Sequence, residues 1–411
     1  MRRILFVDDE EKLLQGLRRM LRPMRHEWDM TFVPDGREAL AALDRQPFDV
    51  LVTDMRMPGL DGPGLLAEVR RQHPHIVRIV LSGHSSKNTT VRSVGLAHRY
   101  LSKPCDKETL EGAITRALEL REEFRDESLV KLLTQVQSLP SLPRIYTEVL
   151  AELQSEDMSV KRIGEIISTD LAMAAKVLQL VNSAFFGLPR SISDPAQAVT
   201  LLGADTVKTL VLAVGVFSQF NKDDADGFDF QVLWEHSIRS AAIAKRIAME
   251  ECADRRAAED AFTGALLHDV GKLILAQGFP KRYSAALDEA TERSITHTHA
   301  ERETFGSTHA EVGAYLLALW GLPDSIVAAV AYHHSPGAAS ETAFGTVTAV
   351  HVANSLEHHQ HAGHDRGSFS QLDRDHLSHL GLLHRIEAWQ ERVAGQVAAA
   401  APCTAGEGIG R

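Results

Sequence analysis

Cysteine is scarce in this sequence. Three of the 411 residues are cysteine, at Cys105, Cys252 and Cys403. Thiols so few and so widely separated cannot build a disulfide framework, and they lack the paired spacing of a zinc knuckle. Long apolar runs are also missing, because nothing approaches the roughly 18 consecutive apolar residues that span a bilayer. We therefore expect a cytoplasmic protein that does not associate with membranes.

Positive charge is in short supply as well. The chain contains 44 lysine and arginine residues against 55 aspartate and glutamate residues, which gives a formal net charge of −11. Binding to nucleic acid relies on a basic surface that neutralises phosphates and releases counterions. No basic stripe is present in the sequence, so a nucleic-acid-binding output is disfavoured.

What remains is the composition of a globular protein, with 44% hydrophobic and 24% charged residues. The length predicts two or three domains. In the first hundred residues, short apolar runs alternate with amphipathic stretches of helical spacing. The predicted strands are 4–7, 30–33, 50–53, 79–81 and 99–101, and the predicted helices are 11–21, 36–44, 63–72 and 87–94. This alternation predicts a doubly wound, five-stranded parallel sheet.

Charged and hydroxyl residues follow the ends of these predicted strands, where open α/β sheets bind their ligands. They are Asp8 and Asp9, Asp54, Ser82, and Lys103. Carboxylates that converge on one crevice repel each other unless a divalent cation neutralises them, and hard oxygen ligands suit Mg²⁺. Asp54 could then attack a phosphoryl donor, with Lys103 and Ser82 contacting the phosphoryl oxygens. The alternative is an ordinary doubly wound domain with solvated acids.

The first 119 residues resemble the receiver domains of two-component response regulators. The resemblance rests on VDDE at 7–10, DMRMPGLDG at 54–62, LSGH at 81–84 and YLSKP at 100–104. It implies strand order 2-1-3-4-5 and phosphorylation of Asp54 by a sensor histidine kinase. It also implies Mg²⁺ held by Asp8, Asp9, Asp54 and the carbonyl of Arg56. Ser82 and Tyr100 would form a coupled switch pair, and the Lys103–Pro104 peptide would be cis.

After Lys107 the pattern changes to one long charged helix and then to helical segments separated by glycine and proline. We predict a receiver domain at 1–119, a helical linker at 120–140, an all-helical output domain at 141–390 and a disordered tail at 391–411. The long helix has an apolar seam of Leu110, Ile114, Ala117 and Phe124. That seam predicts either a homodimer interface or packing against the chain's own receiver.

The output region resembles the HDOD family, a relative of the HD metal-dependent phosphohydrolases. The matching segments are IISTDLAMAAKVLQLVNSA at 166–184, AVTLLG at 198–203, LHDVGKL at 267–273, ETFG at 303–306 and WGLP at 320–323. The resemblance implies possible metal ligands at His236, His268, Asp269, His309, His333 and His334. One transition metal such as Fe, Mn or Zn could bind there, and Lys272 could steady a phosphate.

Two departures from the hydrolase pattern favour a different output. Asn354 occupies the position of a closing aspartate, so two cations would face essentially one carboxylate, Asp269. The Gly-Tyr-Pro signature of cyclic dinucleotide phosphodiesterases is absent after His333 and His334. We therefore expect an output domain that binds an unknown protein partner under the control of Asp54. The alternative is a phosphorylation-controlled metal-dependent phosphohydrolase acting on a nucleotide or a cyclic dinucleotide. His358, His359, His361 and His364 are assigned to a solvated loop, with an adventitious metal site as the alternative.

Overall fold

A computed structural model describes residues 1–82, 96–123, 127–136, 140–141, 143–155, 157–182, 192–203, 207, 218–219, 228–252, 254–339, 341–360 and 371–392. The predicted helix at 87–94 lies outside these residues. Of the predicted tail, 391 and 392 are helical, and 393–411 lie outside the described residues. In the described part of the chain, no helix has both the length and the apolar character needed to cross a bilayer.

The N-terminal region alternates strands and helices as the sequence predicts. Its elements are β1 (Arg2–Val7), α1 (Glu11–Met20), β2 (Trp28–Val33), α2 (Gly36–Arg45), β3 (Val50–Asp54), α3 (Gly62–Gln72), β4 (Val77–Ser82), β5 (Arg99–Ser102) and α4 (Lys107–Glu123). The strands pair in parallel in the order β2-β1-β3-β4-β5. The predicted doubly wound sheet and its strand order are confirmed.

Both faces of this sheet are buried. Ile4 and Phe6 of β1 point into one hydrophobic cluster, and Leu5 and Val7 point into another on the opposite face. Such two-sided burial follows from the period of two along a strand and explains why the strands read as continuous apolar runs. The sheet therefore holds the strand ends rigidly, and the residues that follow them are well positioned to form a site.

Among the residues that the structure describes after Glu123, the regular elements are helices, with one short exception. The helices are α5 (Glu127–Gln135), α6 (Pro143–Gln154), α7 (Val160–Ile167), α8 (Leu171–Val181), α9 (Pro195–Leu202), α10 (Phe230–Cys252), α11 (Arg255–Leu267), α12 (Val270–Gly278), α13 (Pro280–Arg293), α14 (His297–Phe305), α15 (His309–Leu319), α16 (Asp324–Tyr332), α17 (Thr346–Gln360) and α18 (Arg374–His379). The exception is a parallel pairing of β6 (Pro140–Ser141) with β7 (Ser218–Gln219), which the sequence did not predict. Two residues a strand are too few to show a period.

The apolar seam of α4 packs within the chain itself. Leu110, Ile114 and Ala117 are buried in the cluster that also contains Ile4 and Phe6, and that cluster continues into the output helices. Phe124 lies outside the described residues. Of the two predicted roles for the seam, packing against the chain's own receiver is the one observed. A homodimer would therefore have to use another surface.

The linker helix α5 is anchored to the receiver sheet by two buried side chains. Arg78 at the start of β4 donates from Nη2 to the carbonyl of Thr134 at 3.1 Å, and His98 Nε2 lies 2.8 Å from the same oxygen. On its other side, α5 places Leu132 against Gly278 at the end of α12. The linker thus contacts both domains.

Candidate functional site

Three predicted receiver residues meet at the carboxyl edge of the sheet. Asp54 ends β3, Asp8 follows β1, and Lys103 follows β5. Lys103 Nζ lies 2.5 Å from Asp8 Oδ2 and 2.5 Å from Asp54 Oδ1. Asp8 and Asp54 are buried. This is the juxtaposition that the strand ends predict.

Burial and charge pairing act in opposite directions on these groups. Burial raises the pKa of Asp8 above its ordinary value, and the hydrogen bond from Lys103 offsets that rise only in part. Burial also opposes a charge on Lys103, but its hydrogen bonds to Asp54 and Asp8 outweigh this effect and raise its pKa. Lys103 is therefore a permanent positive charge beside Asp54 at neutral pH.

The other receiver residues are placed less uniformly. Asp9 is exposed next to Asp8, and the backbone amide of Arg56 donates to Asp54 Oδ2 at 2.6 Å. Tyr100 is buried on β5, and the Lys103–Pro104 peptide is cis, as predicted. Ser82 ends β4, but its side chain lies outside the described residues, so the coupling of Ser82 with Tyr100 remains a prediction.

The receiver residues fit a divalent cation. Two buried carboxylates, from Asp8 and Asp54, face one point at which Lys103 supplies a single compensating charge. Asp9 adds an exposed carboxylate beside them. Oxygen ligands at an accessible sheet edge suit Mg²⁺, which keeps several waters when bound. Bound there, Mg²⁺ would neutralise charge on a phosphoryl group.

In the output domain, all six predicted ligand residues converge. His236 comes from α10, His268 and Asp269 from the junction of α11 and α12, and His309 from the first turn of α15. His333 and His334 follow the end of α16. Their ring nitrogens and carboxylate oxygens form two overlapping groups, each within 4.8 Å, that share Asp269. We name these residues the histidine centre.

Asp269 stands between the two groups and presents a different oxygen to each. Asp269 Oδ2 lies 3.7 Å from His236 Nε2 and 3.4 Å from His268 Nε2. Asp269 Oδ1 lies 3.2 Å from His309 Nε2 and 3.7 Å from His333 Nε2. His334 Nε2 completes the second group at 3.0 Å from His309 Nε2.

Close backbone packing brings these helices together. A Cβ atom on Gly271 would lie 1.9 Å from the carbonyl oxygen of His309, so only glycine lets the start of α12 touch the start of α15. Thr308 caps α15 by accepting from the amide of Glu311, whose carboxylate accepts from the amide of Thr308. The cap fixes the first turn of α15, which carries His309.

The outer nitrogens of His268, His333 and His309 are held by acceptors. His268 Nδ1 lies 2.6 Å from the carbonyl of Ala265, and His333 Nδ1 lies 2.8 Å from the carbonyl of Val330. His309 Nδ1 lies 2.7 Å from a carboxylate oxygen of Glu301. An acceptor at Nδ1 assigns the proton to that nitrogen and leaves the Nε2 lone pair facing inward. Metal-binding histidines have this outer arrangement.

The inward nitrogens lie very near each other. His236 Nε2 and His268 Nε2 are 3.1 Å apart, and His309 Nε2 and His333 Nε2 are 3.4 Å apart. Two lone pairs at this separation repel unless a proton or a cation lies between them. The buried cluster of histidines and Asp269 could therefore hold a metal.

Burial controls the protonation of the histidine centre in the absence of metal. It lowers the pKa of His268 to about 4 and takes those of His333 and His334 well below the ordinary value. Burial also opposes a charge on His309, but the carboxylate of Glu301 outweighs it and raises the pKa of His309 to about 9. Neutral imidazoles are the form that binds metal, so His268, His333 and His334 are ready to bind, whereas His309 would first release the proton that Glu301 stabilises.

The structure also brings three residues to the histidine centre that the sequence analysis did not select. Glu301 contacts His309, and Glu357 contacts His236 Nδ1. His358 belongs to α17, and its ring stacks on that of His236 at a centroid distance of 4.4 Å. The assignment of His358 and His359 to a solvated loop was wrong, because both belong to α17, and His361 and His364 lie outside the described residues. The signal available was helical spacing, because Glu357 lies three residues after Asn354 and so shares its face of the helix.

A cavity of about 300 Å³ leads to the histidine centre. His236, Asp269 and Lys272 belong to its lining. Its walls are mainly apolar or aromatic and comprise Phe228, Asp229, Val232, Leu233, Tyr283, Leu287 and His297. Lys272 Nζ donates to Asp269 Oδ2 at 2.8 Å. A volume at the lower end of the range for ligand sites, with a few polar groups in the lining, suits a small molecule.

Two family profiles match this chain. Residues 4–115 match the response regulator receiver domain, and residues 139–336 match the HDOD domain. Together with the observed sheet and helices, these matches decide the family. The chain is a response regulator with an HDOD domain.

Known proteins resemble this HDOD response regulator over parts of its length. The MmoQ response regulator from Methylococcus capsulatus is 26% identical, with a TM-score of 0.47, over 59% of this chain and 98% of its own. An uncharacterized protein of Treponema pallidum is 26% identical over 54% of this chain and 42% of its own. The hydrogenase transcriptional regulatory protein HoxA of Cupriavidus necator is 34% identical over 42% of this chain and 36% of its own. The chain spans less than half the length of these last two relatives.

Proposed function

We propose that Asp54 accepts a phosphoryl group from a sensor histidine kinase and thereby controls what the HDOD domain does. The observation that carries this proposal is the placement of Asp54, buried at the end of β3 and 2.5 Å from Lys103 Nζ. The carboxylate oxygens of Asp54 can attack phosphorus, and the ammonium group of Lys103 can pair with the phosphoryl oxygens that arrive. Asp8 and Asp9, with the carbonyl of Arg56, would hold Mg²⁺ beside them.

Control reaches the HDOD domain through direct packing. Helix α4 contacts α15, and Arg116 on α4 forms an ion pair with Asp324 at the start of α16. A change in the position of β5 or α4 after phosphorylation would therefore alter a surface that the HDOD domain shares. In this proposal the HDOD domain exposes or withdraws a surface that binds a protein partner. A nucleic-acid partner is not proposed, because the net charge is −11.

The test uses the full chain and a small-molecule phosphodonor with Mg²⁺. Intact-mass measurement should show one added phosphoryl group in the native chain and none in Asp54→Asn. Limited proteolysis between the domains should then differ between phosphorylated and unphosphorylated native protein. An Asp54→Asn variant that still gains the phosphoryl group would contradict the proposal, as would identical cleavage in both states. The control is Asp324→Asn. This variant loses the ion pair with Arg116 but should gain the phosphoryl group like the native chain.

A second output, a metal-dependent phosphohydrolase, is favoured by a specific observation. Six side chains with metal-binding chemistry meet, and two of them, His236 and Asp269, line a cavity that also presents Lys272. The chemistry of a bound metal would be the activation of water for attack on phosphorus. His236, His268, Asp269, His309, His333 and His334 would hold it. Lys272 could orient a phosphate of the substrate.

Metal analysis decides between the two outputs. Stoichiometric transition metal that disappears in Asp269→Ala, together with turnover of cyclic dinucleotides or simple phosphoesters, would establish the hydrolase. Metal without turnover of any of these substrates would leave the centre with a structural role and the HDOD domain as a binding module. The transition-metal content should not depend on Asp54, so Asp54→Asn serves as a control for it, whereas turnover by a phosphorylation-controlled hydrolase should depend on Asp54.

A further inference from the structure

Helix α15 runs from the histidine centre to the junction with the receiver. His309 in its first turn belongs to the histidine centre, with Nε2 3.2 Å from Asp269 Oδ1. Ala318 and Leu319 in its last turn line the junction, together with Val77 of β4. The helix has 11 residues and extends about 16 Å at 1.5 Å per residue. One helix therefore contributes its two ends to two separate places.

The packing around α15 makes it a rigid element. All of its residues are buried except Glu311, which closes the capping box with Thr308. At its middle, a Cβ on Gly313 would lie 2.9 Å from Val270 and 3.1 Å from the amide nitrogen of Gly271, so its backbone lies directly against α12. Close-packed interiors transmit a displacement because they have no voids to absorb it. A shift of the last turn of α15 should therefore reach the first turn.

Strand β5 makes the corresponding connection inside the receiver. Arg99 begins β5 and lines the junction, and its Nε would lie 3.7 Å from a Cβ on Gly321, two residues after α15. Lys103 follows the other end of β5 and lies 2.5 Å from Asp54 Oδ1. The four residues of the strand cover about 13 Å, and all four pair with β4. A phosphoryl group that attracts Lys103 thus acts on a strand whose other end lies at the junction.

We propose that α15 couples the two sites, so that a phosphoryl group on Asp54 changes the affinity of the histidine centre for its metal. Such coupling is reciprocal, so metal in the histidine centre changes the affinity of the receiver for the phosphoryl group by the same factor. The metal is then an input to the receiver as well as a part of the output. This coupling rests on both proposed functions, the phosphorylation of Asp54 and metal binding by the histidine centre.

The test measures the zinc affinity of the full chain in two states of Asp54. Fluoroberyllate, a reversible mimic of the phosphoryl group, is present or absent, and excess Mg²⁺ keeps the oxygen ligands of the receiver occupied. Zinc bound by Asp269→Ala under the same conditions is subtracted as background. Fluoroberyllate should change the zinc dissociation constant of the native chain by about 5- to 150-fold. It should leave that of Asp54→Asn unchanged.

The reverse titration tests reciprocity. Calorimetry measures the affinity of the native chain for fluoroberyllate with and without zinc in the histidine centre. Zinc should change this affinity by the same factor that fluoroberyllate changes the zinc affinity. Two unequal factors would overturn the coupling, because a linked pair of binding equilibria permits only one.

Three variants at the junction test whether α15 is the connection. Ala318→Arg places a long charged side chain between α15 and the receiver, so both sites should still bind while the factor falls to one. Leu319→Ala is a milder change at the same contact and should reduce the factor. Asp324→Asn removes only the exposed ion pair with Arg116 and should keep the native factor. Circular dichroism identifies any variant that does not fold.

The possible failures are distinct. Equal zinc affinities of the native chain with and without bound fluoroberyllate would overturn the coupling and leave both proposed functions standing. A native factor in Leu319→Ala and in folded Ala318→Arg would also overturn it, because the signal would then bypass α15. Zinc binding no greater than the background of Asp269→Ala would reject both the metal-dependent output and the coupling. The phosphorylation of Asp54 is judged separately by intact mass.

Discussion

Arg78 and His98 show what single residues contribute to the joint between the two domains. Both are buried, and Arg78 donates to the carbonyls of Ile76, Leu96 and Thr134. Burial lowers the pKa of Arg78 to about 10, which still leaves it charged at neutral pH. His98 accepts from the amide of Arg78 at Nδ1 and donates from Nε2 to Thr134, so it is neutral in the folded chain.

His98 should make the folded chain sensitive to acid. Burial takes its pKa well below the ordinary value of 6.5. Below pH 6.5 the unfolded chain therefore binds a proton at His98 that the folded chain does not bind. The stability that His98 contributes is complete above pH 6.5 and is lost as the pH falls below it, by up to about 1.4 kcal/mol per pH unit. As the pH is lowered from 7.5 to 5, the melting temperature of the native chain should fall more steeply than that of His98→Gln. Parallel curves would show that His98 does not titrate in this range.

Residues such as these also mark how far the sequence could lead. Asp8, Asp54 and Lys103 could be predicted together because each follows a strand, and the ends of parallel strands meet at one edge. The role of His98 depends on Thr134, 36 positions away on a helix with no motif. Glu357 was missed for a related reason. Whether a helical residue reaches a site depends on the face of the helix on which it lies. On this helix the sequence analysis selected Asn354 and not Glu357.

At the scale of elements, the contact between α12 and α15 holds the histidine centre together. Gly271 permits it, because any Cβ at this position would collide with the backbone of His309. Helices approach this closely only where a small residue lies at the crossing. The sequence HDVGKL contains one such residue, Gly271, but does not show which helix packs against it. The helices themselves could be predicted from their spacing, whereas their crossing points could not.

Gly271→Ala should therefore destabilise the chain and disturb the histidine centre. Overpacking in a core costs about 1–3 kcal/mol, and backbone on the opposing side leaves little room to relax. Gly112→Ala on α4 is the matched control. Nothing lies within 4 Å of its added Cβ, so it should stabilise the helix by about 0.5–1 kcal/mol. Denaturant unfolding of both variants measures the difference. Equal changes in the free energy of unfolding of the two variants would mean that α12 and α15 can move apart at no cost in stability.

At the scale of the whole molecule, one hydrophobic cluster runs from the receiver sheet through α4 into the HDOD helices. Ala318 and Leu319 of α15 line the junction with Val77 and Ile79 of β4. The ion pair of Arg116 with Asp324 lies at the rim, with its side chains 40% and 78% exposed. Exposed pairs contribute up to about 1 kcal/mol, so apolar packing holds the junction.

Ala318→Arg should open this junction. The residue is buried, and a long charged side chain there costs about 1–3 kcal/mol in overpacking alone. Small-angle X-ray scattering should show a larger radius of gyration than in the native chain. Asp324→Asn removes the rim ion pair and should leave the radius unchanged. If Ala318→Arg kept the native radius, the junction would not depend on apolar contact.

A continuous core has a consequence for inheritance. Receiver domains are commonly regarded as interchangeable parts. In this chain, however, Arg78 near the start of β4 and His98 immediately before β5 both contact a backbone carbonyl of the linker helix. A receiver transplanted from another regulator would bring its own residues to both positions and would leave the carbonyl of Thr134 without these donors. The receiver, the linker and the HDOD domain are therefore expected to evolve together as one unit.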